Sequence, residues 1–375
     1  MHIIGIIAEY NPFHNGHKYQ IEKIRELYPN SLIIAIISTN FTQRGEVSII
    51  NKWNKTKICL DNNIDLVIEL PYTYSVEAGD IFAKGAIKIL NELKIDTLVF
   101  GTETNKIDDL EKIANIQIYN KDFHNQVKKY LDEGLNYPTS LSKALKKITN
   151  IEIKEPNNLL AISYIKEIIK NNYHITPVNI KRTVGYNSKE IKNNITSATN
   201  IRDMLNNNIN VNNYLPYDQE DYLYKIDYSK MFKYLKYNII NNINYLDKFV
   251  MVEEGIENRI KKYIFTSNNW NELVNSIKTK RYTYNRINRM LINILNNYHK
   301  KDHQTDKIYI RILGFNKNGR QYLNKIKKDV DIIYGYKKET NEILDIDFKS
   351  TCIYSELVND PELITKEFKN KPIIK

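Results

Sequence analysis

Four short apolar runs in the first hundred residues, HIIGIIA, SLIIAIIS, DLVIEL and DTLVFG, are β-branched and almost uninterrupted by polar residues. Runs of this kind fit strands that are buried on both faces of a parallel sheet. Between them the apolar spacing changes to that of a helix. Ile21, Ile24, Leu27 and Tyr28 share one face, and AGDIFAKGAIKILNEL repeats the pattern. Strands alternating with helices leave few architectures open, and the expected fold is α/β, a Rossmann-like doubly wound parallel sheet with right-handed crossovers. Ligands of such sheets sit beyond the carboxyl ends of the strands.

Residues 107–175 read as mostly helical, TPVNIKRT as one more strand, and TSATNIRDMLNNN as a capped turn entering a helix. The pattern then changes. An Asn-rich linker, Asn206 to Asn213, leads into a Tyr- and Lys-rich, mainly helical stretch to about 305, and KIYIRILGFNKNGRQYLNKIKK suggests strand, turn and helix. Two domains are expected, an α/β domain over 1–210 and a basic, mainly helical domain over 211–375. The net charge of +11 is regional: residues 1–150 carry 18 Lys+Arg against 18 Asp+Glu, residues 151–375 carry 37 against 26, and 251–320 alone holds 14 against 6. A codon bias toward lysine would spread the excess evenly, so its location points to a polyanion-binding surface in the second half. Two distant cysteines, Cys59 and Cys352, imply a reducing, cytoplasmic setting without disulfides. The apolar start of the chain is too short for a signal peptide or a span, so no membrane is expected.

Just past the first run lies NPFHNGH. A helix N-terminus supplies unpaired N–H groups and partial positive charge, histidines add donors, and a glycine lets an oxyanion approach the backbone. His14, Gly16 and His17 therefore mark a phosphate site, with a core histidine pair or half a metal site as the plainer alternatives. His299 and His303, spaced i, i+4 among lysines, read as surface residues.

NPFHNGH resembles the H-x-G-H signature of the nucleotidyltransferase superfamily, and TSATNIR resembles its second element, with Ser197, Thr199 and Arg202 as phosphate-binding candidates. AEYNPFHNGHKYQ, STNFTQRGEVSIINKW, DLVIELPYTYSVEAGDIFAKGAI, LVFGTE, PNNLLAISYIK, IKRTVGYN and SATNIR follow the order of the bacterial tRNA(Met) cytidine acetate ligases, and the similarity extends to IRILGFNKNGRQYL. The resemblance implies an HxGH nucleotidyltransferase fold and an enzyme that joins acetate to the AMP part of ATP. The acetyl group then passes to the wobble cytidine of elongator tRNA(Met), giving 4-acetylcytidine. It also implies ATP as substrate, with Mg2+ to neutralise pyrophosphate; a protein partner is not implied.

On that resemblance His14 and His17 are the catalytic pair. The loop of Ile7, Ala8, Glu9, Tyr10, Asn11, Pro12, Phe13, His14, Asn15, Gly16, His17, Lys18, Tyr19 and Gln20 wraps ATP. Gly101, Asn157 and Arg182 are further contacts, Asn158 and Lys181 competing with the last two. Arg44, in NFTQRGE, is a candidate for acetate or the target base, or a plain turn residue. In SIKTKRYTYNRINRMLINIL, Lys278, Lys280, Arg281, Arg286 and Arg289 accompany Tyr282 and Tyr284. Cations on phosphates and tyrosines stacked on unpaired bases would suit an anticodon loop, whereas a charge run alone is also a solvated helix face. Two rival functions stay open: an adenylyltransferase acting on a small phosphorylated cofactor precursor, and a non-catalytic RNA-binding protein.

Overall fold

The computed structural model describes residues 1–375 except 105, 186, 187, 337–341 and 370, so Tyr186 and Asn187, the end of IKRTVGYN, lie outside the described residues. The four apolar runs form strands β1 (Ile3–Ala8), β2 (Leu32–Ile37), β3 (Leu66–Glu69) and β4 (Thr97–Thr102), and TPVNIKRT supplies β5 (Thr176–Lys181), the five parallel throughout and ordered β5-β4-β1-β2-β3. Alternation along each strand divides the side chains between two cores. Ile33, Ala35 and Ile37 of β2 face one core, and Leu32, Ile34 and Ile36 face the other. Helices cover both sides, which is why these runs contain so few polar residues.

The sheet is mixed rather than wholly parallel. Strand β6 (Ile310–Phe315) pairs antiparallel with β3, and β7 (Ile332–Ile333) and β8 (Ile373–Ile374) pair with β6. The expected boundary at residue 210 therefore does not divide the sheet, because its outer strands come from the last quarter of the chain. The helical stretch between β5 and β6 also shares a core with the first. Ile287, Met290 and Leu291 belong to the same cluster as Ile4, Ile33 and Val67. A buried ionic quartet fastens the junction: Lys52 and Arg311 alternate with Glu69 and Glu367, at 2.8 Å for Lys52–Glu69, 3.1 Å for Arg311–Glu69 and 2.7 Å for Arg311–Glu367, with Lys52 also paired to Glu367.

The chain runs from β1 outward to β3 and then crosses back to β4 on the other side of β1. The crevice between the loops that follow β1 and β4 is thus a topological switch point, the place where such sheets bind ligands.

Candidate functional site

Helix Asn15–Leu27 starts at that switch point, and the two histidines are its cap. The Gly16 N–H donates to His14 Nδ1 at 3.0 Å and the His14 N–H donates to His17 Nδ1 at 3.2 Å, a reciprocal capping box built from imidazoles. Both Nδ1 atoms are therefore acceptors. The proton of each neutral ring must sit on Nε2. The rings stack with centroids 3.8 Å apart. His14 is 2% exposed. Burial first, then the Arg182 and Arg202 charges, push its pKa down to about 3, and burial, His14 and Arg182 hold His17 well below its ordinary value. At neutral pH the pair is uncharged and presents two Nε2–H donors.

Gly16 serves this cap. A Cβ there would lie 2.8 Å from His14 Cε1 and 3.2 Å from Ile195 Cγ2, so the glycine makes room for the imidazole. The Gly16 N–H, one of the donors at this helix start, is taken by His14.

His17 opens onto a cavity of about 520 Å³ that runs between the sheet, the helical segments over 137–170 and helix Tyr284–Leu295. Of the expected ATP loop, Ile7, Ala8, Glu9, Tyr10, Asn11, His17 and Gln20 line it, and His14, Gly16 and Tyr19 line an adjoining crevice. Four side chains do not. Phe13 is buried in the core, Pro12 is buried, Asn15 donates to the Asn194 and Asn213 carbonyls at 3.0 Å each, and Lys18 is exposed beside Glu22.

Gly101 and Arg182 line both spaces. A Cβ on Gly101 would approach nothing closer than Arg182 Cγ at 3.4 Å, so the protein itself tolerates a side chain there. Asn157 lines the cavity and donates to Glu103 at 2.6 Å, whereas buried Asn158 accepts from the N–H groups of Glu103 and Thr104 and shapes that turn. Arg182 faces inward and Lys181 is exposed. Of the three candidates in the second element, Arg202 reaches the cavity, where Ala198 of the same turn also lies. Arg202 donates to the Asn11 carbonyl at 2.7 Å and pairs with Glu46 at 2.8 Å. Ser197 is a spent helix cap, accepting from Asn200 N–H and donating to the Ser188 carbonyl, and Thr199 lines neither space.

The candidate RNA-binding set divides. Lys280, Arg281 and Tyr284 are exposed, and Lys278 is half-buried with its ammonium over the Tyr284 ring. Tyr282 does not fit a stacking platform: it is 3% exposed, donates to the Glu253 carbonyl and carries Arg286 on its ring. Arg286 pairs with Glu253 and Glu254 at 3.4 and 3.9 Å. Arg289 is likewise no surface cation; it is buried, lines the cavity beside Arg44, and donates to the Gln43 carbonyl at 3.0 Å. His303 turns inward as well, bonding Tyr298 at 3.0 Å and lying 3.5 Å from Glu77.

Several residues of the site were not singled out by sequence. Lys55 donates to the carbonyls of Glu9, Ser38 and Thr39 at 2.8, 2.8 and 3.0 Å, pinning the ends of β1 and β2 around the site. Asp80 and Lys166 form a pair at 2.9 Å on the cavity wall. Their signal was a charge on an otherwise apolar helix face. Among the described residues no three His, Cys, Asp or Glu side chains converge to hold a metal.

A family model described as HIGH Nucleotidyl Transferase matches residues 1–370. The tRNA(Met) cytidine acetate ligase of Caldicellulosiruptor bescii is 38% identical, with 100% of this chain and 98% of the relative covered. That of Clostridium novyi is also 38% identical, covering 100% and 99%, and that of Anoxybacillus flavithermus is 34% identical, covering both completely. Among solved structures, apo TmcAL of Thermotoga maritima is similar at TM-score 0.90 and 26% identity, with 100% of this chain and 99% of that chain covered. T. maritima TmcAL bound with alpha-thio ATP is similar at TM-score 0.88 with the same identity and coverage.

Proposed function

The chain belongs to the HIGH nucleotidyltransferase family, and from its full-length likeness to the tRNA(Met) cytidine acetate ligases we infer that it is an ATP-dependent ligase of that kind. The observation that carries the reading is the neutral imidazole pair at the switch point, with both Nε2–H groups left over by the cap, at the edge of a cavity large enough for a nucleotide.

The chemistry follows from what a carboxylate lacks. Acetate offers no leaving group that an amine can displace at neutral pH. An acetate oxygen therefore attacks the α-phosphorus of ATP; the new O–P bond forms, the bridge to the β-phosphate breaks, and pyrophosphate leaves. Charge grows on the phosphate oxygens in that step, and Nε2–H donors already oriented by the helix cap stabilise it without reorganising. Neutral rings also bring two donors into a buried site without two further buried charges. The mixed anhydride then meets the exocyclic amine of the wobble cytidine of elongator tRNA(Met). The N–C bond forms, AMP departs with the C–O electrons, and the nitrogen loses a proton to give 4-acetylcytidine.

Among the described residues no three His, Cys, Asp or Glu side chains converge into a magnesium cage, so Mg2+ would be held chiefly by the nucleotide phosphates, as that ion commonly is. No step here depends on it. A tRNA substrate and the unpaired cysteines suit the cytoplasm, and no described helix is long and apolar enough to cross a membrane.

Incubating the protein with labelled ATP, acetate and bulk tRNA tests the reading. Acetate-dependent pyrophosphate release and acetyl label in tRNA are expected. Pyrophosphate release that depends on a small phosphorylated acceptor instead would point to the cofactor-type adenylyltransferase. Neither activity, with tRNA binding retained, would point to an RNA-binding protein.

A further inference from the structure

Arg289 is a buried cation that the protein uses only in part. It comes from the middle of helix Tyr284–Leu295 and is 8% exposed, yet it reaches the wall of the cavity that His17 and Arg182 line. Nη1 is occupied by the Gln43 carbonyl at 3.0 Å. Among the described residues Nε has no hydrogen-bond partner, and no carboxylate forms an ion pair with this guanidinium. The neighbouring cations are engaged: Arg202 by Glu46, Lys166 by Asp80, and Arg44 and Arg182 also have partners. The acid whose field reaches Arg289 is Glu77, whose carboxyl accepts the Ala78 N–H at 3.1 Å, lies 3.5 Å from His303 and makes no ion pair with the guanidinium.

A buried cation without a matching anion is costly, and the cost is relieved when a ligand brings the anion. Guanidinium suits a carboxylate above other small anions because its planar fork matches two oxygens. Its location is also constrained. The Arg289 backbone packs on the NFTQRGE loop so closely that a Cβ on Gly45 would lie 2.4 Å from Arg289 N, so the guanidinium is carried on a fixed support.

We propose that Arg289 is the anchor for the acetate carboxylate, holding it in the same cavity as the paired imidazoles so that one carboxylate oxygen is directed at the α-phosphorus. This rests on the ligase reading above. Acetate binds as the anion, so no proton moves before the O–P bond forms and the pyrophosphate bond breaks. Arg44, the acetate candidate from sequence, becomes a neighbour of the site.

The test is ATP–pyrophosphate exchange measured without tRNA in Arg289→Lys and Arg289→Gln. Loss of a charge-assisted pair predicts that KM for acetate rises about tenfold to a hundredfold while KM for ATP stays near that of the parent. Arg289→Lys should retain more than Arg289→Gln. An unchanged acetate KM in both variants, with tRNA affinity lowered instead, overturns the inference and returns Arg289 to the RNA-binding set. A parent protein whose exchange ignores acetate overturns the ligase reading and this inference together. Should either variant fail to fold, crystals of the unaltered protein with acetate and a non-hydrolysable ATP analogue decide the matter. Acetate on the Arg289 guanidinium supports the assignment, and acetate elsewhere overturns it.

Discussion

Because both Nδ1 atoms of the imidazole pair are committed to the helix cap, substitutions at position 14 separate the cap from the chemistry. Asparagine is a good N-cap and can still accept the Gly16 N–H, but it has no donor where Nε2 stands. His14→Asn should therefore melt within about 1 kcal/mol of the parent while acetate-dependent pyrophosphate release falls by roughly 10²–10³. His14→Ala should lose the activity and about 1 kcal/mol of stability as well. Equal thermal losses in the two variants would show that the cap is not what orients the ring. Glu77 gives a pH prediction. Burial, opposed by the Ala78 N–H and by Arg289, raises its carboxyl to about 7 from an ordinary 4.5. The folded state then holds a proton that the unfolded state has released, so stability is full below about 4.5 and falls as pH rises toward 7. Glu77→Gln removes that loss and should gain up to about 3 kcal/mol over the parent at pH 8, with little gain at pH 4.5, in denaturant titrations at the two pH values.

At the level of elements, the contact between the NFTQRGE turn and helix Tyr284–Leu295 joins the first half of the site to the second. Gly45 has φ +73 and its would-be Cβ is 2.4 Å from Arg289 N, so neither the backbone angle nor the space admits a side chain. Gly45→Ala should cost about 1–3 kcal/mol, of the order expected for strain and overpacking together, and should raise KM for acetate by displacing Arg289. A Tm equal to that of the parent would refute the close approach. Sequence could not have shown this contact, because it pairs residues 244 positions apart through backbone rather than through a pattern. The strands were legible for the opposite reason. Burial on both faces of a parallel sheet leaves a local mark, nearly unbroken β-branched runs, and β1 to β4 fall on those runs, whereas the edge strand β5 is partly exposed and more polar. The antiparallel return of β6 was not legible, since IYIRILGF reads as a strand without naming its neighbour. The site divides along the same line. His14, Gly16 and His17 carry a local spacing, whereas Arg289 and Tyr282 sit in a basic stretch whose periodicity was read as charge, although burial of one helix face in the shared core turns them inward. Ser197 illustrates a third limit, because a cap and a phosphate ligand use the same hydroxyl and sequence does not say which.

Across the whole molecule, the helical region is both a wall of the cavity and the carrier of part of the excess positive charge. Thr283, Asn285 and Arg289 line the cavity from one side of the same segment that exposes Lys280, Arg281 and Tyr284, the last at 54%. An RNA loop laid on that surface would lie beside the cavity mouth, with the exposed Tyr284 ring available to an unpaired base. The structure also changes how strongly salt should act. Arg286 is already paired with Glu253 and Glu254 and Arg289 is buried, so of the five cations in the stretch Lys278, Lys280 and Arg281 remain for phosphates. Three phosphate contacts predict a log–log slope of tRNA affinity against salt of about −2 to −3, shallower than the roughly −4 that all five would give. The double substitution Lys280→Ala with Arg281→Ala should flatten that slope by about 1.5–2 and weaken binding of any tRNA to a similar degree, since phosphates carry no sequence. Binding measured by filter retention from 50 to 300 mM salt checks both numbers; a slope that the double substitution leaves unaltered would move the RNA surface away from the cavity mouth and break the link between the basic region and the acyl site.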